Sequence, residues 1–97
     1  MKTLKDIKKL LKEHQAELKE KYNVKELGVF GSCAKGSMSP TSDIDIVVDF
    51  YELPDLFSFI EMEGYLEKIL QEKIDLIERT AIRPQLKDMI LKEVVYV

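Results

Sequence analysis

Leu4, Ile7, Leu11 and Leu18 recur at spacings of three, four and seven, with charged residues filling the turns between them. That period predicts an amphipathic helix over residues 3 to about 21. Thr3 and Asp6 form a capping pair at its start. His14 lies on the apolar stripe between Leu11 and Leu18 and reads as a packing or boundary residue, because no second ligand-type residue sits beside it. The pattern then shortens. Residues 27–30 are an apolar run ending at Gly31, which predicts a strand feeding a turn. Residues 32–35 begin a short helix that Gly36 stops, and residues 37–42 are a loop by composition. Over residues 43–50 the period becomes two. Ile44, Ile46 and Val48 face one side of the strand, and Asp43, Asp45, Val47 and Asp49 face the other. A second helix spans residues 55 to about 71, with Asp55 as N-cap and Phe59, Met62, Leu66 and Ile69 as its buried stripe. Residues 73–77 form a third strand with Asp75 alone on its polar face. Pro84 opens a last helix with apolar positions Leu86, Met89 and Ile90. Residues 94–97 are an apolar tail that adds an edge strand or covers the core. The order predicts one domain over residues 1–97, an α/β (α+β) fold with a small mixed sheet flanked by helices.

The 97 residues leave little room for a second substrate domain, so an enzyme of this size is expected to take a partner's surface as its substrate. A net charge of −3 argues against a module that binds duplex nucleic acid. The single cysteine, Cys33, excludes an internal disulfide and fits a reducing cytoplasm. The first twenty residues are charged throughout, with no apolar segment of a secretory signal or membrane span.

The chemistry concentrates between Gly31 and Asp45. A Gly-Ser step brings backbone N–H groups close to an anion, and a serine hydroxyl can bond a phosphate oxygen. Asp43 and Asp45, two apart on a strand, point to one face with Cα atoms roughly 6.5–7 Å apart. Carboxylates so placed can converge on divalent ions about 3.5–4 Å apart, the geometry of two-metal phosphoryl and nucleotidyl transfer. Exposed aspartates on an edge strand are the ordinary alternative. The flanking Ile44, Ile46, Val47 and Val48 instead read as a buried central strand, where paired carboxylates need a compensating cation. Asp75 is the natural third carboxylate, completing the metal site or accepting a hydroxyl proton. Asp49 shares the face but lies roughly 13 Å further along, too far to join the pair. Lys35 reads equally as a phosphate partner or a surface lysine. Ser42 either bonds near the metal site or simply precedes the strand. Cys33 has no histidine near it in sequence and reads as no nucleophile. Arg83 and Pro84 read as a helix start. Tyr51, Phe57, Phe59 and Tyr65 read as core and rim, not as a base-stacking set.

The stretch GVFGSCAKGSMSPTSDIDIVVDF, residues 28–50, resembles the signature of the polymerase-beta-like nucleotidyltransferase superfamily. With the ending KIDLIERTAIRPQLKDMILKEVVYV, residues 73–97, the whole layout is similar to the minimal nucleotidyltransferase (MNT) antitoxins. The resemblance implies a nucleotidyltransferase fold, ATP as substrate and Mg2+, two ions, held by Asp43, Asp45 and Asp75. Gly31 and Ser32 would form the nucleotide-binding turn, aided by Lys35 and Ser42. Lys35 stands where that family usually has arginine, keeping the charge without the bidentate fork. The implied partner is a HEPN-type toxin, neutralised by AMP transfer to a tyrosine hydroxyl or by stoichiometric binding. Transfer to a small-molecule hydroxyl is a third reading. Homo- or hetero-oligomer formation stays open.

Overall fold

The structure is a computed structural model that describes residues 3–36 and 43–97. Its centre is β2 (Ile44–Phe50), the aliphatic run with alternating aspartates. β2 pairs antiparallel with β1 (Val24–Phe30) on one side and parallel with β3 (Ile74–Glu78) on the other. A two-residue strand, β4 (Val95–Tyr96), pairs antiparallel with β1, giving the order β3-β2-β1-β4. The mixed sheet and flanking helices are those expected from the pattern. The apolar tail does become an edge strand.

Alternation along β2 sorts its side chains as the period of two demands. Ile44, Ile46 and Val48 are fully buried in the main core, beneath helices of the first face. Val47 points the other way and joins Phe30, Ile82 and Ile90 in a smaller second core. The main core is supplied by α1 (Leu4–Glu13), α2 (Gln15–Tyr22) and α4 (Leu56–Leu70). The second is covered by α5 (Pro84–Glu93).

The single helix expected over residues 3 to about 21 is two helices, broken at His14. In a continuous helix the His14 backbone N–H would bond the Leu10 carbonyl. Here the imidazole Nδ1 donates to that carbonyl at 2.8 Å, and the backbone N–H turns to the Leu11 carbonyl at 3.2 Å. The ring rests edge-on against Tyr65. His14 is therefore the boundary residue expected, and it also redirects the chain so that Leu18 and Tyr22 reach the core. Thr3 and Asp6 form the expected capping box. Asn23, in the left-handed conformation, ends α2 and releases the chain into β1.

α4 starts where Asp55 accepts the Ser58 N–H at 2.8 Å. Its buried stripe is Met62, Leu66 and Leu70, with Phe59 and Ile69 packed at the margin. The helix returns the chain across the sheet so that β3 enters parallel to β2, as a parallel pair requires. In α5 only Ile90 of the three expected apolar positions is buried; Leu86 and Met89 are exposed. No helix among the described residues is long and apolar enough to cross a membrane.

Candidate functional site

The candidate site forms at the end of the sheet where β1 stops and β2 and β3 begin. Phe30, the last residue of β1, pairs with Asp45. The next residue, Gly31, turns the chain with φ +71°, in the left-handed region open to glycine. A Cβ at Gly31 would collide with the Asp45 carboxylate. The turn and the acid are thus in direct contact, and the contact requires glycine. From Gly31 the chain winds into α3 (Gly31–Ala34), which holds Ser32, and Gly36 breaks it with φ +73°.

Across the parallel β2–β3 ladder Asp45 is the register partner of Asp75. Register partners in neighbouring strands lie about 4.8 Å apart and point to the same face. Asp43, immediately before β2, is exposed, as is Asp75, while Asp45 is half-buried. Burial pushes the Asp45 carboxyl above its ordinary 3.8, and the charges of Asp75 and Asp43 push it further the same way. Burial raises the Cys33 thiol too, aided by Asp45. A buried thiol kept protonated is no nucleophile, which agrees with the expectation for Cys33.

Among the described residues no cation pairs with Asp43, Asp45 or Asp75. Three carboxylates without a partner cation, one of them half-buried, form a hard-oxygen donor set suited to Mg2+. No group of three or more His, Cys, Asp or Glu is already drawn together as a metal cage among the described residues. Mg2+ typically binds through one or two carboxylates plus substrate phosphates and waters. An open donor set of this kind therefore fits such an ion.

Asp49, the rejected rival, sits four positions along β2 and pairs with Arg79 of the 3₁₀ turn after β3, at 3.5 Å. It is an ion-paired strand end, not a solvated one. Lys35 is exposed, with Nζ 3.1 Å from Glu93 at the end of α5. Glu93 thus joins the turn, a residue that sequence reasoning missed because nothing in the chain links two positions so far apart. Ser42 lies outside the described residues. Arg83 is the exposed residue ahead of α5, whose first turn holds Pro84 as expected.

A family model described as a nucleotidyltransferase domain matches residues 11–97. A candidate protein adenylyltransferase of Methanocaldococcus jannaschii, MJ1215, is 55% identical over 82 residues, covering 84% of this chain and 95% of that protein. The protein adenylyltransferase MntA of Thermococcus cleftensis is 44% identical over 97 residues, covering 100% of this chain and 98% of its own length. Among solved structures, a complex of tri-AMPylated Shewanella oneidensis HEPN toxin with MNT antitoxin aligns with TM-score 0.67 at 18% identity. That alignment spans 93% of this chain and 70% of the matched one, and at such identity it speaks to the fold alone.

Proposed function

This chain belongs to the polymerase-beta-like nucleotidyltransferase superfamily, in its minimal antitoxin branch, and is a nucleotidyltransferase; from that membership we propose that it moves AMP from ATP to a tyrosine hydroxyl of a HEPN-type toxin in the cytoplasm. The observation that carries the reading is the Gly31 turn pressed against Asp45, with Asp75 beside it in register. Relatives named as protein adenylyltransferases support the reaction class. The partner comes from the resemblance to the minimal nucleotidyltransferase antitoxins, and a solved structure of the same fold is of a HEPN toxin in complex with an MNT antitoxin.

In this reading the acceptor oxygen attacks the α-phosphorus of ATP. An O–P bond forms, the bond between the α-phosphorus and the bridging oxygen breaks, and pyrophosphate leaves. The hydroxyl proton passes to Asp75, the exposed carboxylate beside Asp45. Gly31 and Ser32 cradle the triphosphate, Lys35 adds a point charge, and the family resemblance assigns Ser42 to the same nucleotide. Asp43, Asp45 and Asp75 would hold Mg2+, which when bound neutralises phosphate charge and polarises the α-phosphoryl group.

The test is AMP transfer in a lysate with Mg2+ and ATP labelled at the α-phosphate, beside a γ-labelled control. A protein band labelled from the α-position alone, and lost with Asp43→Asn in a folded variant, is the expected result. Transfer at the parental rate by Asp43→Asn overturns the assignment. Neutralisation by binding without transfer is a second reading, favoured by the exposed apolar residues around the start of α4. Full neutralisation of the toxin by the Asp43→Asn, Asp45→Asn double variant would establish it.

A further inference from the structure

Asp75, Asp45, the Gly31 turn and Glu93 follow the order of the strands across one end of the sheet. β3 and β2 start at that end and β1 stops there. β4 runs antiparallel to β1, with Val95 the register partner of Val29. Glu93, two residues before Val95, therefore stands beside the Gly31 turn, on the flank away from Asp45 and Asp75.

Lys35 is rooted on the same turn. Its backbone N–H donates to the Gly31 carbonyl at 3.2 Å, and its Nζ reaches Glu93 Oε1 at 3.1 Å. The acid is the fixed member of the pair, 30% exposed on a helix, and the lysine is the movable one, 58% exposed on a four-carbon stem. Glu93 is also not where helix electrostatics would put an acid. It closes α5, and the C-terminal end of a helix favours cations. Lys92, the cation of that last turn, is exposed and forms no ion pair among the described residues. Glu93 is answered instead by a lysine of the nucleotide turn. An exposed pair of this kind adds little to the fold. Its consequence lies in what else Lys35 can hold.

Resting on the proposed function, in which Lys35 meets the triphosphate, we propose that Glu93 is a positioning residue working through Lys35: a carboxylate built into the chain that competes with phosphate for one ammonium and so limits how tightly ATP and pyrophosphate are held. An ammonium has three donors, yet a carboxylate and a phosphate on one nitrogen repel each other, so each weakens the other's hold. As pyrophosphate departs, Lys35 has Glu93 to return to, and the product leaves without stranding a cation.

The test is a double-mutant cycle on the full chain, read by titration calorimetry with Mg2+-ATP, inorganic pyrophosphate and adenosine as probes. Glu93→Gln should bind ATP and pyrophosphate about two- to five-fold more tightly, the range of an exposed ion pair, with adenosine binding and the melting temperature near parental. In a Lys35→Met background, Glu93→Gln should gain nothing. Unchanged or weaker ATP binding by Glu93→Gln overturns the inference and leaves the proposed function standing. An equal gain in both backgrounds overturns it too, because Glu93 then repels phosphate without acting through Lys35. A shift in adenosine binding that parallels the shift for ATP overturns it in favour of a structural role. A parental chain that binds neither ATP nor pyrophosphate sinks the inference together with the nucleotide reading of the site.

Discussion

Asp45 is strained by its neighbours. Its carboxyl titrates above the ordinary value because of burial and then the charges of Asp75 and Asp43. An acid whose folded pKa exceeds its unfolded one destabilises the fold wherever it is ionised. That cost is fully present above the raised pKa and disappears as pH falls toward 3.8. In metal-free buffer at pH 7, Asp45→Asn should therefore melt higher than the parental chain, with the gap closing on acidification. Added Mg2+ should raise the parental melting temperature more than the variant's, because the same repulsion that costs stability attracts the ion. Differential scanning fluorimetry across pH with and without Mg2+ reads both effects. Gly31→Ala attacks the same contact from the other side. A methyl group there meets the Asp45 carboxylate on a left-handed backbone, so the expected loss is about 1–3 kcal/mol, read by denaturant unfolding. ATP binding should fall with it.

At the scale of the element, α4 depends on its first turn. The Ser58 backbone N–H, held by Asp55, keeps that carboxyl below the usual range. A depressed acid stabilises the fold above its unfolded pKa and loses that contribution as pH falls through the folded one. Asp55→Asn keeps an N-cap but no charge. Its melting temperature should lie below parental at pH 7, and the gap should close in acid below the ordinary carboxylate value of 3.8, the reverse of the trend in absolute stability that Asp45 imposes. Pattern reading located these elements well where one residue type controls them. Asp55, Pro84 and Gly36 mark ends that follow from local chemistry, and β2 was legible because Ile44, Ile46 and Val48 alternate with Asp43, Asp45 and Asp49 in a run rich in β-branched residues. The break at His14 was not legible, since the apolar stripe continues across it. Only the imidazole's capture of the Leu10 carbonyl, a rotamer choice, divides α1 from α2. Leu86 and Met89 match a helical stripe, yet α5 turns them outward and presents Ile90 to the second core, with Leu91 packed against it.

The whole molecule is tied together by contacts that sequence spacing does not reveal. The tail of the chain pairs with β1 at Gly28 and Val29, and Val97 donates its N–H to the Leu27 carbonyl at 3.0 Å. A side chain at Gly28 would collide with Val94. Gly28→Val should lift the tail from the sheet and cost about 1–3 kcal/mol; hydrogen exchange at Tyr96 and Val97 would report the loosening. The closeness of the Gly31 turn to Asp45 in the candidate site was legible in Gly31-Ser32 and Asp43-Ile44-Asp45, because those residues sit close in sequence. The alignment of Asp75 with Asp45 depends on the register of a parallel pair, which no local signal sets, and the link from Lys35 to Glu93 depends on where α5 ends.

The parallel pairing of β2 with β3 has a consequence in time. Asp45 and Asp75 are neighbours in space but thirty residues apart in the chain, and a parallel partner cannot arrive until its crossover helix has formed. A ribosome that has released the chain through α4 has made Asp43, Asp45 and the Gly31 turn, but not the strand that sets the third carboxylate beside them. The side-by-side placement of Asp45 and Asp75 therefore comes into being only once β3 has been made, later than the Gly31 turn and the acids of β2.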